Sequence, residues 1–430
     1  MPSTHIKRLD IATEPTYMNR GDDGEPTQTG LSWMPCEFAD TSQIIAIGDT
    51  QTLAYNASTG GFSTNPGEAL VDPVSNTPVK RGTITIDFYL RGGLKTNTSN
   101  KKGLLALLCS RLASSMTEVM AAYDVPISSG AITDPDVAAY GQFLAWTLPD
   151  GRIRYGLSPA RDDSEVYPVP PVMSTEDGNE CGYLTTAGDG INICTFTVPG
   201  EGGDPIPYGT GTVALRLTGD GWQQVCYGCA MTALTISCDG DGRAIKLSAT
   251  VDCPAIYDIA SPAETYWPTV IDGPILHSLG SPAMIYDETS HAFLTGIGGG
   301  PCIAAWTVSL NWTTAGAACG SYWSGRAPLE ATSLDATIDL TIGSLPYDTI
   351  AFFKAAWMGQ HVLNVSLPFG GSFEASPAFG GAIIIPAAIV ADGSVTNPDL
   401  SGDAVQSTVS LRLAPPNFDP PWPIFCLGVF

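Results

Sequence analysis

Histidine is scarce: His5, His277, His291 and His361 are the four in 430 residues. None stands at i, i+4 from another or beside a second ligand type in a recognisable motif, so a histidine-based triad or metal centre has little material. Basic side chains are also few, 19 Lys and Arg against 43 Asp and Glu, for a formal charge of -24. A field of that sign repels phosphate backbones and argues against a protein that grips nucleic acid. Long apolar runs are missing too. The longest, Gly380 to Ala391, is interrupted by Pro386 and falls short of the about 20 residues a bilayer needs. Met1 to Asp10 contains no continuous apolar stretch of the kind a secretory signal carries, so the sequence reads as a soluble protein made in a cytoplasm, with no membrane partner.

What is present points to strands. Hydrophobic residues make up 44% of the chain, enough for a sizeable core, and 47 Gly and 34 Pro with frequent Thr, Ser, Val and Ile favour many short strands joined by turns. The clearest segment is 228–252. There Leu234 and Ile236 alternate with polar residues, Asp239-Gly-Asp-Gly242 follows as a turn, and Ile245, Leu247, Ala249 and Val251 alternate again. This predicts a β-hairpin with one apolar and one wet face, which must pack on a larger sheet.

In chain order, residues 1–80 read as an extended arm with a strand or two and apolar islands at Leu31-Ser-Trp33 and Ile44 to Ile47. Gly82 to Gly92 predicts a strand, and Lys102 to Ser115 a helix apolar nearly all round. Residues 120–225 read as an elaboration, with strand candidates at Ile191 to Val198 and Thr212 to Leu217. The Pro- and Gly-rich 254–300, ending in Gly296-Ile-Gly-Gly-Gly-Pro301, reads as a connector. Beyond it, strands are predicted at Ile303 to Thr313, Ser333 to Ile342, His361 to Leu367, Ala382 to Val390 and Val405 to Leu413, with a helix over Tyr347 to Trp357 ended by Gly359. Strand-then-buried-helix occurs once in each half, a pattern consistent with duplication.

Candidate chemistry is thin. Eleven cysteines are scattered along the chain, and in a reducing compartment they read as free, mostly buried thiols. Cys226-Tyr-Gly-Cys229 is the one C-x-x-C, with Cys238 and Cys253 as further candidates, but no second such pair or nearby histidine completes a zinc pattern. Asp239-Gly-Asp241-Gly lacks the downstream glutamate of a calcium loop. Gly298-Gly-Gly300 has no following Lys-Ser/Thr, and Pro301 stands where a dinucleotide fingerprint needs its last glycine. Asp87 and Asp339 could be read as a glycosidase carboxylate pair, although a solvent-facing strand position explains each. Neither a catalytic constellation nor a cofactor or metal site is expected.

The order of these elements resembles the major tail (tail tube) proteins of long-tailed bacteriophages. The likeness rests on the Thr83-Ile-Thr-Ile-Asp-Phe-Tyr-Leu-Arg91 strand, the Leu104-Leu-Ala-Leu-Leu108 helix, the Gly228-Cys-x-x-x-x-Leu-x-Ile236 hairpin and the Ile383-Ile-Ile-Pro-Ala-Ala-Ile389 segment. It covers most of the chain apart from 120–225. It implies a mainly β (α+β) protein with two tube-like β-sandwich or barrel domains, 81–253 and 301–430, each with a packed helix. It further implies a non-enzymatic virion subunit whose strands complete a barrel between copies. Three chains, or else six, close rings that stack into a tube, with tape-measure and tail-terminator proteins as partners and DNA passing unbound. Asp87, Asp335 and Asp339 are the expected lining residues of an acidic lumen. The rival readings are an adhesin-type β-sandwich on a virion surface and, behind it, a carbohydrate-active enzyme on a β scaffold.

Overall fold

A computed structural model describes residues 6–20, 26–39, 53–56, 61–64, 80–92, 102–112, 115–118, 125–128, 131–133, 143–147, 153–157, 165–173, 180–182, 191–195, 211–219, 222–238, 244–259, 275–278, 283–294, 303–316, 328–343, 347–370, 380–392, 406–414 and 425–429. Strand dominates. The first half carries β1 (Ile6–Thr13), β2 (Met34–Cys36), β3 (Leu53–Asn56), β4 (Gly61–Thr64), β5 (Lys80–Tyr89), α1 (Lys102–Leu112), β6 (Ser115–Glu118), β7 (Val125–Ser128), β8 (Ala131–Thr133), β9 (Phe143–Thr147), β10 (Ile153–Leu157), β11 (Glu165–Val166), β12 (Glu180–Gly182), β13 (Ile191–Thr195), β14 (Val213–Gly219), β15 (Trp222–Cys238) and β16 (Ile245–Ile259). The second carries β17 (Met284–Asp287), β18 (Ala292–Phe293), β19 (Ile303–Ala315), β20 (Glu330–Gly343), α2 (Tyr347–Gly359), β21 (Leu363–Gly370), β22 (Gly380–Val390), β23 (Gln406–Leu413) and β24 (Phe425–Val429).

The predicted hairpin is β15 and β16, paired from Cys238↔Ile245 to Gln223↔Ile259. Its apolar residues Leu234, Ile236, Ile245, Leu247, Ala249 and Val251 are all fully buried. The Asp-Gly-Asp-Gly turn itself lies outside the described residues, as do Ile44 to Ile47. β15 is long enough to serve two neighbours on its other edge. Its first half pairs with β14, and its second, from Ala233 to Cys238, pairs with β19. The change of partner coincides with an irregularity between Met231 and Ala233. A bulge of this kind bends a strand and re-aims its side chains.

The β15–β19 pairing carries the sheet across from the first half of the chain to the second, giving the order β5-β16-β15-β19-β20-β23. The C-terminal β24 returns the other way, pairing with β13 and β22. The segment read as a connector holds two strands: β17 lies between β18 and β21. Within the stretch read as elaboration, β7 to β12 make a separate six-stranded sheet, whereas β6, β13 and β14 belong to the large one. The N-terminal arm joins the large sheet through β1 on β14 and β2 on β1, while its β3 and β4 pair only with each other.

The core lies under one face of this sheet. Helix α1 packs on it through Leu104, Leu107, Leu108 and Leu112, its N-terminus so close to β2 that a Cβ on Gly103 would stand 2.8 Å from the Met34 carbonyl oxygen. Arg111, 2% exposed, donates from Nε to the Met231 carbonyl (2.9 Å) and from Nη2 to that of Leu329 (3.3 Å). It thus ties α1 to the bulge of β15 and to the approach of β20. Burial lowers its pKa to about 10, so it stays charged at neutral pH. A second, smaller cluster of Met18, Ala214, Val225, Tyr227 and Ala255 is covered by Tyr17, Leu31 and Trp33 of the arm.

Candidate functional site

The six strands from β5 to β23 present two unlike faces. On the core side the register aligns Phe88, Leu247, Ile236, Val308, Ile338 and Leu411 in one row across all six, each at most 1% exposed. Alternation then sends their sequence neighbours to the other side. There the rows read Tyr89, Lys246, Ser237, Thr307, Asp339, Ser410; then Asp87, Ser248, Thr235, Ser309, Thr337, Arg412; then Thr85, Thr250, Ala233, Asn311 and Asp335. Hydroxyl, amide and carboxyl groups hold nearly every position. At about 4.8 Å per strand the face is about 24 Å wide, and its side chains are mostly short.

The three candidate lining residues all fall on this polar face, in different settings. Asp335 is exposed and Asp339 half-buried, the latter accepting a hydrogen bond from the Ser410 hydroxyl. Asp87 is 7% exposed, with its Oδ2 3.2 Å from Lys246 Nζ. Lys246 reaches it diagonally, since Asp87 pairs with Ser248, two residues further along the same strand. The backbone N–H of Ala39 also closes on the Asp87 carbonyl at 2.6 Å, covering that edge of β5. Asp87 is therefore a paired carboxylate at the rim of the face, and Asp335 and Asp339 carry its open negative charge. As a glycosidase pair Asp87 and Asp339 fail on distance. Four strand spacings of about 4.8 Å separate them by about 19 Å, against the roughly 5–10 Å that such chemistry needs.

The remaining clusters of ionisable groups are tied up structurally. Asp10, fully buried, sits between Arg8 Nε (2.8 Å) and Arg216 Nη2 (2.9 Å), and the Arg216 guanidinium stacks over Trp33 at 4.7 Å. Buried Glu14 accepts from the backbone N–H of Met18 (3.2 Å) and Gly228 (2.9 Å) and from the Thr212 hydroxyl. Desolvation raises its pKa in spite of those three donors. His361 Nδ1 meets Asp287 Oδ2 at 2.6 Å, just past the end of α2. None of these clusters was foreseen from the sequence, because each joins residues far apart in the chain.

Of the cysteine candidates, Cys238 stands apart, 2.7 Å from Ser278 Oγ, while Cys226, Cys229 and Cys253 come together in the core. Among the described residues no group of three or more His, Cys, Asp or Glu is arranged to hold a metal ion, and no helix is long and apolar enough to cross a membrane. No protein-family model matches the sequence, and no curated protein is significantly similar to it.

Proposed function

We propose that this chain is the tail tube subunit of a long-tailed bacteriophage, a structural virion protein that polymerises into stacked rings around a channel for DNA. The observation that carries this reading is the two-faced sheet: one side dry and packed, the other about 24 Å wide and lined mostly by short hydroxyl, amide and carboxyl side chains. Such a wall suits a polymer that must pass without holding. Apart from Tyr89 at the β5 edge, these rows offer no aromatic platform on which bases stack. Asp335 and Asp339 repel phosphate; of the two cations in these rows, Lys246 is engaged by Asp87 and Arg412 stands exposed at the β23 edge. The charge of -24 on the whole chain acts in the same direction.

Three copies, each contributing both halves of its sheet, form a ring in this proposal, and tape-measure and terminator proteins bound the stack. The direct test is negative-stain electron microscopy of purified protein concentrated and left to stand. Hollow striated tubes or rings are expected, with threefold symmetry. Sixfold symmetry would revise the subunit count. Uniform small particles that never stack would reject the reading and favour a β-sandwich module on a virion surface.

A further inference from the structure

In a regular strand Cys226 and Cys229, three residues apart, would point to opposite faces. Here they share the core, because Gly228 between them takes φ +68°, and the pairing of β14 with β15 shifts at the same place. Across the hairpin, Tyr227↔Ala255 and Ala230↔Asp252 set a register that puts Cys229 directly opposite Cys253, with Gly228 opposite Pro254. The two sulfurs lie 3.4 Å apart. Interaction with these two thiols holds the Cys226 pKa well below the ordinary thiol value against the effect of burial. All three side chains are fully buried.

We propose that Cys226, Cys229 and Cys253 form a peroxide-reactive thiol centre whose end product is a Cys229–Cys253 disulfide across the β15–β16 hairpin. Hydrogen peroxide is the oxidant, small enough to enter during brief openings of the strands. The Cys226 thiolate attacks a peroxide oxygen, the O–O bond breaks, and Cys226 becomes a sulfenic acid as hydroxide leaves. The Cys229 thiol then displaces that oxygen as water, forming a Cys226–Cys229 disulfide. Cys253 gives its proton to the hydroxide released in the first step, forming the second water, and attacks the Cys229 sulfur, and Cys226 leaves as the free thiolate. Overall, two thiols and one peroxide give one disulfide and two waters. Directly opposed strand positions bring Cβ atoms to about 4.5–5.5 Å, close to disulfide span, so this pairing is the resting one. The inference does not depend on the tail-tube reading.

The test is to expose the full-length protein to hydrogen peroxide, block free thiols with an alkylating agent, unfold, digest without reductant and map the peptides by mass spectrometry. Expected is a peptide pair joining Cys229 to Cys253, lighter by two hydrogens, with Cys226 alkylated. Cys229→Ser and Cys253→Ser abolish that pair, and Cys226→Ser slows its formation at least tenfold without removing it. Three alkylated thiols after exposure, or a stable end product linking any other cysteines, would overturn the proposal. Circular dichroism of each variant before exposure distinguishes lost chemistry from lost fold.

Discussion

Thr235 of β15 lies directly opposite Ser309 of β19, and at that pair the two halves of the chain become one sheet. On the reverse side the same junction is sealed by Leu234 on Leu310 and Ile236 on Val308, all fully buried. A seam that is apolar beneath and hydroxylated above joins the halves without adding charge to the wet face.

The seam predicts joint unfolding. In urea, tryptophan fluorescence and far-UV circular dichroism should report one coincident transition, and Ile236→Ala should shift it by about 2–5 kcal/mol. Two separate transitions would mean that the halves are independent despite their shared strands.

Arg111 predicts a second cost at the same place. Arg111→Met keeps the aliphatic bulk but leaves the Met231 and Leu329 carbonyls without their donor. The expected loss is about 1–3 kcal/mol per orphaned acceptor, read from the denaturation midpoint. A variant as stable as the parent would show that water replaces the guanidinium.

Gly228 is constrained by conformation and by space. A Cβ there would stand 2.7 Å from a Tyr17 ring carbon, on a backbone with φ +68°. Gly228→Ala should cost about 1–3 kcal/mol and loosen the arm that Glu14 holds at the Gly228 N–H, seen as faster hydrogen exchange over β1.

Asp287 predicts an acid limb. Burial alone would raise its pKa, but hydrogen bonds from His361, the Ser290 side chain and the Ser290 and Thr289 N–H groups hold it below the ordinary carboxylate value. Its folded pKa being the lower one, its contribution is present above the unfolded value of about 4 and is lost as pH falls below that. The stability gap between the parent and Asp287→Asn should be about 1.5–3 kcal/mol at neutral pH and close below about pH 4. A gap that stays constant with pH would remove the ionic explanation.

Much of this architecture was legible because its strands are amphipathic and long. Alternation located β5, β15, β16, β19, β20 and β23, and near-continuous apolar character located α1 and β22. β1 escaped because Arg8-Leu-Asp-Ile11 alternates over only four residues and its polar side is buried, which Arg216, about 200 residues away, makes acceptable for Asp10. β24 is five residues of apolar run, too short to distinguish from a turn flank. At the site, alternation marked Asp87 and Asp339 as solvent-facing strand positions and the resemblance added Asp335, yet the Lys246 pairing that withdraws Asp87 depends on cross-strand register. Three of the four cysteines named together from the sequence do meet, although strand periodicity alone would separate Cys226 from Cys229, and one left-handed glycine reunites them.

The polar face predicts a gain of function by charge. Asp335 is exposed, so Asp335→Lys should leave stability within about 0.5 kcal/mol. Combined with Asp339→Lys, it should make assembled protein retain double-stranded DNA in a salt-sensitive manner where the parent releases it, measured by co-sedimentation. Equal release by both would argue that this face never meets DNA.

The most direct measurement is a cryo-electron microscopy reconstruction of the assembled protein, fine enough to place Thr235, Ser309 and Thr337 radially. The account predicts a hollow tube with these three hydroxyls, Asp335 and Asp339 on its inner wall and α1 outside the sheet. A tube with that row on its outer surface, or particles with no central channel, would contradict it.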